Sequence, residues 1–173
     1  MLKNLKEDKN AKTPSFFFKK ENEKFNTKYI KFLEKFYKKN YKDVRVCLHS
    51  KKNSKHHDMI ILQQKKNFYS PHKHLKKGET YHIIKGSMAC VLFNNNGSIK
   101  KICHLKKNDI FRTPINVFHT MLPSSKFVIY HESKTGPFYK KNDSVFSNWS
   151  KKLTNDKYQI NKFKRFVFKS IKK

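Results

Sequence analysis

Three features of the sequence predict a mainly β protein built as an antiparallel sandwich or barrel. Between Val44 and Glu132 the apolar residues fall in short bursts, such as Met59-Ile60-Ile61-Leu62 and Cys90-Val91-Leu92-Phe93. Turn-forming residues separate them, most clearly Asn94-Asn95-Asn96-Gly97 and Pro123-Ser124-Ser125. Asn and Gly tolerate positive φ, which tight hairpins require. Finally, strands joined by short turns pair with their sequence neighbours, which favours antiparallel ladders.

Residues 1–20 read as a loose, lysine-rich lead-in. From Glu21 to about Asn40, Phe25, Tyr29, Phe32, Leu33 and Phe36 recur at helical spacing. An amphipathic helix with its apolar stripe docked on the main domain follows. The β region then opens with Val44, Val46 and Leu48 alternating against Arg45, Cys47 and His49. Met59–Leu62 forms the next strand. Tyr81–Phe93 and Ile99–His104 flank the Asn-Gly turn, and Val117–Leu122 and Phe127–Glu132 flank the Pro-Ser turn. After Trp149 the chain is basic again. Ile160, Phe163, Phe166, Val167 and Ile171 share one predicted helical face opposite lysines. The expected organisation is therefore a lead-in and helix (1–40), a β-barrel (41–149) and a basic helical tail (150–173).

The chain has 173 residues, enough for one domain with its own core. Its formal net charge is +29, from 41 basic and 12 acidic residues, which invites a nucleic-acid reading. The basic residues argue otherwise. Only Arg45, Arg112 and Arg165 are arginines, and base-edge readout and bidentate phosphate contacts favour Arg. Lysine, Asn, Phe, Ile and Tyr share A/T-rich codons, so the excess reads as a solvated face, with no specific nucleic acid as partner. The tail's basic amphipathic character suits weak contact with an anionic membrane surface, or else packing against the barrel. Exposed edge strands admit a homodimer. Cys47, Cys90 and Cys103 stand at no metal-type spacing and are odd in number, which fits a reducing compartment. No stretch reaches the ~20 apolar residues that span a bilayer. A cytoplasmic location is expected.

The chemistry concentrates in Pro71-His72-Lys73-His74-Leu75-Lys76-Lys77-Gly78-Glu79. In extended backbone, residues i and i+2 leave one face, so His72 and His74 point the same way. The Lys-Lys-Gly turn returns Glu79 to them. Two imidazoles and a carboxylate suit one divalent first-row ion: Fe, Mn, Ni or Zn. His119, at the start of a later apolar strand, supplies a fourth candidate.

The spacing His72-x-His74-x4-Glu79-x6-Gly86 resembles the first motif of the cupin superfamily, and Asp109-x4-Pro114-x-Asn116-x2-His119 resembles the second. The resemblance implies a cupin jelly-roll barrel (a double-stranded β-helix) holding one metal ion through His72, His74, Glu79 and His119. Where such motifs often carry Gly before the Asp and two residues after the Pro, this chain has Asn108 and Asn116. Asn is the next residue most tolerant of left-handed backbone. Lys66 and Pro123 replace two further motif positions, neither of them a ligand.

A finer resemblance runs from about Tyr41 to Trp149. Arg45-x-Cys47-x-His49, Tyr69-x-Pro71-His72-x-His74, Phe93, Gly97, Ile99, His131-Glu132, Gly136-Pro137-Phe138 and Trp149 are similar to the WbuC family of cupin-fold metalloproteins, associated with O-antigen and lipopolysaccharide biosynthesis. That implies a role in surface-polysaccharide sugar metabolism and does not supply a reaction. An isomerase or epimerase, an oxygenase, and a non-catalytic metal-dependent module for a sugar or sugar nucleotide all remain open. Strand parity nominates Tyr81, Ile83, Val117 and Met121 as inward-facing. Arg45 and His49, if on the metal side, would bind a carboxylate or phosphate; alternatively Arg45 forms a structural ion pair, with Glu132 as partner. Candidate substrate contacts are Arg45, His49, Tyr81 and Met121, and candidate general bases are His49, Tyr81 and Glu132. His56 and His57 read as solvent-exposed loop residues.

Overall fold

A computed structural model describes residues 2–20, 22–139 and 143–172. Ten strands and three helices follow in the order β1 (Leu5–Glu7), β2 (Ser15–Phe18), α1 (Thr27–Asn40), β3 (Val44–Cys47), β4 (His56–Gln64), β5 (Glu79–Lys85), β6 (Met88–Phe93), β7 (Ile99–Leu105), β8 (Ile110–Thr113), β9 (Phe118–Pro123), β10 (Phe127–Thr135), α2 (Asn148–Asn155) and α3 (Lys157–Ser170). A seven-stranded sheet has the order β1-β2-β3-β4-β10-β5-β8, and a three-stranded sheet the order β7-β6-β9. Side chains from both meet in one cluster that includes Tyr81, Ile83 and Tyr130 from the larger sheet and Cys90, Leu92 and Met121 from the smaller. The mainly β, two-sheet architecture matches the expected fold class.

Each sheet's outer face is covered by helix. Helix α1 begins where the Asn26 side chain accepts a hydrogen bond from Lys28 N, and it ends at Tyr41, whose φ of 52° is left-handed. Tyr29, Leu33 and Tyr37, one turn apart, are buried against Phe16, Phe18, Val46, Ile60 and Leu62. The docked stripe is as expected, but the helix starts at Thr27 because Asn26 caps it there. Glu21, where the sequence pattern begins, lies outside the described residues.

At the opposite face, α2 and α3 bring Trp149, Phe163, Val167 and Ile171 onto Val91, Phe93, Phe118 and Leu122. Phe166 departs from the expected stripe and is 56% exposed. It lies one residue before the buried Val167, a step of about 100° around the helix. Lys164 Nζ donates to the carbonyls of Lys65, Lys66 and Asn67 at 3.0–3.2 Å, which fixes α3 to the barrel. Gly97, at φ 91°, turns the β6–β7 hairpin beneath Trp149; a Cβ there would come within 2.7 Å of the indole.

Two expectations are corrected. The N-terminal residues are no loose lead-in, because β1 and β2 extend the large sheet and Phe16, Phe17 and Phe18 are all buried. Nor is every ladder antiparallel, since β2 runs parallel to β3, the intervening α1 serving as its crossover. No helix among the described residues is long and apolar enough to cross a membrane.

Candidate metal centre

The first motif is only locally extended. His72 pairs with His119 through two backbone hydrogen bonds, His72 N to His119 O at 3.0 Å and His119 N to His72 O at 2.8 Å. The carbonyl of His74 accepts from Asn116 N at 2.8 Å, and the left-handed φ of 61° at Asn116 makes that turn. Glu79 opens β5 in the large sheet, while His119 lies on β9 in the small one. The sequence thus brings its four candidate ligands together from opposite walls. One potential ligand atom from each of His72, His74, Glu79 and His119 lies within 4.8 Å of the others.

The ring orientations are set from behind. His72 Nδ1 is 3.0 Å from Ser70 O, and His119 Nδ1 is 3.0 Å from Val117 O. His74 Nδ1 contacts the carbonyl of Asp143. A carbonyl only accepts, so each Nδ1 carries a proton, which leaves Nε2 as the ring nitrogen that could ligate an ion. Two of these Nε2 atoms face Glu79: His119 at 2.9 Å from Oε2 and His74 at 3.0 Å from Oε1. The His74 contact is poorly aligned, and this buried nitrogen has no hydrogen-bond partner. Imidazole nitrogens gathered around a buried carboxylate, one of them without a hydrogen-bond partner, fit a cation in their midst.

Burial opposes the charge on Glu79, but Lys134 and the His119 and His74 contacts overcome it and hold the carboxyl well below the ordinary range. Lys134 Nζ lies 2.8 Å from Glu79 Oε1 and 3.1 Å from Glu132 Oε1. Tyr81 donates its hydroxyl to Glu79 Oε2 at 2.5 Å, and burial lifts its phenol above the usual value. Burial and then His119 push His72 down to about 4, which keeps its imidazole neutral.

A cavity of about 180 Å³ opens beside the cluster, lined among others by Arg45, His72, Glu79, Tyr81, Glu132 and Lys134. Met121 also lines it, while Ile83 and Val117 pack in the core between the sheets. His49 is not brought there. It lines a separate depression with Lys51 and Asp58, and its ring stacks on His57 at 4.2 Å. Leu48 bonds to the backbone of Asp58 just where β3 ends, so His49 leaves the strand before parity can carry it inward. His57 is likewise buried, on β4, with Nε2 3.0 Å from the Lys52 carbonyl, which corrects its reading as a loop residue. Arg45 forms no ion pair with Glu132, which pairs with Lys134 instead.

Lys134 and Asp143 were missed by the sequence reading. Parity from Glu132 along β10 reaches Lys134, but a lysine suggests solvent. Asp143 follows a break in the strand pattern, so nothing local marks it. The tail's support was also hidden: Ser150 Oγ donates to Pro71 O and Thr154 Oγ1 to Ser70 Oγ, both at 2.7 Å, bracing the segment that presents His72.

Four ligand-type side chains converge on motif spacing, Glu79 and His119 from facing sheets and His72 and His74 from the segment between β4 and β5. The architecture is a two-sheet β fold compatible with a jelly roll. A family model described as a domain of unknown function, DUF6016, matches residues 38–105. No curated protein matches. Solved structures with a similar backbone include CapF, a capsular polysaccharide assembling protein from Staphylococcus aureus, at 13% identity and TM-score 0.47, covering 57% of this chain and 30% of that one. Lactobacillus farciminis oxalate decarboxylase, as a formate complex, gives 19% and 0.46 over 62% of this chain and 30% of that one. KdgF from Halomonas sp. gives 12% and 0.46 over 57% and 82%. The chain thus spans 30% of the CapF and L. farciminis decarboxylase chains, and likeness at this level carries no information on activity.

Proposed function

We propose that the protein is a metal-dependent enzyme acting on a sugar or small oxygenated substrate in surface-polysaccharide (O-antigen or lipopolysaccharide) biosynthesis. One divalent ion (Fe, Mn, Ni or Zn) would be held by His72, His74, Glu79 and His119. The carrying observation is that three imidazoles, each tethered through Nδ1 to a backbone carbonyl, gather with one buried carboxylate so that a ligand atom of each lies within 4.8 Å of the others. The WbuC-like residues support the pathway assignment. A bound ion would act as a Lewis acid toward a substrate hydroxyl or carbonyl, or as a site for O2. Tyr81 and Lys134 hold Glu79 in place. The reading includes a cytoplasmic location and the pairing of two copies through exposed sheet edges.

One observation favours a second reading, a non-catalytic module that captures a sugar or sugar nucleotide through the metal. The acid–base candidates in the cavity are already committed, Tyr81 to Glu79 and Glu132 to Lys134. The first test is metal content by plasma mass spectrometry on untagged, chelator-free protein beside His74→Ala and His119→Ala. Near-stoichiometric metal, lost in both variants, supports the site. Absence of metal in the wild type, even after reconstitution with Fe(II), Mn(II), Ni(II) and Zn(II), removes the proposal.

A further inference from the structure

We infer that the cavity beside the four-residue cluster binds a small carboxylate, anchored by Arg45, and that Ser15 on β2 positions that guanidinium. The inference rests on the reading of this cavity as the substrate site, and it names the ligand class.

Charge compensation within the cavity singles out Arg45. Lys134 is matched by Glu79 and Glu132, with Asp143 at 3.9 Å. Arg45 has no such partner: no ion pair among the described residues includes it. Its Nε donates to Ser15 Oγ at 2.7 Å, and its Nη1 reaches only the weak acceptor Met59 Sδ at 3.9 Å. A guanidinium has five N–H donors in a planar fork that matches a carboxylate edge. Half-buried, oriented by neutral atoms and lining the cavity with His72 and Glu79, Arg45 makes no direct ion pair, and Asp8, which feels its charge through space, is paired with Lys52.

The N-terminal strand fixes that orientation. Ser15 is fully buried, and its hydroxyl donates to Thr13 O at 2.7 Å, which turns its lone pair toward Arg45. Arg45 N donates to Pro14 O at 3.0 Å, so the same segment holds backbone and side chain. Thr13 itself reaches the cavity wall. These residues precede the region matched by the family model, which begins at 38.

Size and field narrow the ligand. About 180 Å³ falls below the roughly 300–1,000 Å³ of pockets for drug-sized molecules and matches the size of a small acid. The net charge of +29 raises the local concentration of any anion.

The test is calorimetric titration of the full chain, metal-loaded and metal-free, with malonate, its neutral analogue malonamide, and inorganic phosphate. Arg45→Gln, Arg45→Lys and Ser15→Ala are compared with Arg165→Gln on the distant α3, and metal content is measured on every sample. The expected result is malonate binding weakened about 10- to 100-fold by Arg45→Gln, more than threefold by Ser15→Ala, and unchanged by Arg165→Gln. Malonamide should not bind, and metal content should not change. If Arg45→Gln fails to fold, Arg45→Lys carries the comparison, since it keeps the charge and loses the fork. Equal malonate affinity in wild type and the Arg45 variants overturns the inference, as does phosphate binding tenfold tighter than malonate. Arg45-dependent malonate binding in a protein that takes up no metal would uphold the anchor while removing the metal reading, so the two fail separately.

Discussion

Lys134 Nζ sits 2.8 Å from Oε1 of Glu79, so the carboxylate that faces two imidazoles is neutralised by a buried ammonium. Burial disfavours that charge, but Glu132, Glu79 and Asp143 together hold Lys134 above the ordinary lysine value. Lys134→Met would leave three carboxylates without their shared cation. In metal-free protein this should cost about 3–5 kcal/mol in urea unfolding, the range for breaking a buried pair. A bound divalent ion supplies positive charge at the same place, so the loss should shrink when metal is added. An equal loss with and without metal would show that Lys134 acts through packing alone.

Tyr81→Phe removes the hydroxyl that donates to Glu79 Oε2. Groups that orient metal ligands typically contribute 10- to 100-fold in affinity, so competition against a chromogenic chelator should show a drop of about that size. Leu33→Ala, in the α1 core on the far side of the large sheet, should cost about 2–5 kcal/mol and leave metal affinity unchanged.

Acid sensitivity should come partly from outside the metal centre. Burial, then the neighbouring His57, depresses His49 to about 4, and burial lowers His57 as well. The unfolded chain therefore binds more protons than the folded one between about 4 and the ordinary histidine value of about 6.5. The stability of the neutral pair is full above 6.5 and is lost as pH falls toward 4. In the presence of a chelator, His49→Gln should flatten the pH dependence of unfolding by about 2 kcal/mol between pH 7.5 and 4.5.

Asn116 tests the altered second motif. At φ 61° it tolerates Gly with little change, whereas Val should cost about 1–2 kcal/mol for the left-handed backbone. Because Asn116 N also bonds to His74 O, Asn116→Val should raise the metal dissociation constant, and Asn116→Gly should not.

The sheets and all four clustered residues were legible because they obey local rules. Alternation marks strands, i and i+2 share a face, and Asn108 and Asn116 do take positive φ, at 74° and 61°. What escaped depends on distant packing. Nothing in Ser15-Phe16-Phe17-Phe18 signals a partner 30 residues away on β3, or that the strands would run parallel. Lys134 looked like one more solvated lysine among many; only the convergence of Glu79, Glu132 and Asp143 explains its burial. His49 followed strand parity on paper, but β3 ends at Cys47 and the rule lapses two residues too early.

The position of β10 between β4 and β5 bears on how the molecule assembles. Until Phe127–Thr135 leaves the ribosome, the large sheet exists as two halves with no ladder between them. Glu79 can meet Lys134 only when that last strand inserts. Closure over such long sequence separation belongs to the slow regime of folding, milliseconds to seconds. Meanwhile the bare edges of β4 and β5 invite pairing with other nascent chains. The four candidate ligands all precede β10, so what waits for its insertion is the ammonium of Lys134 that balances Glu79.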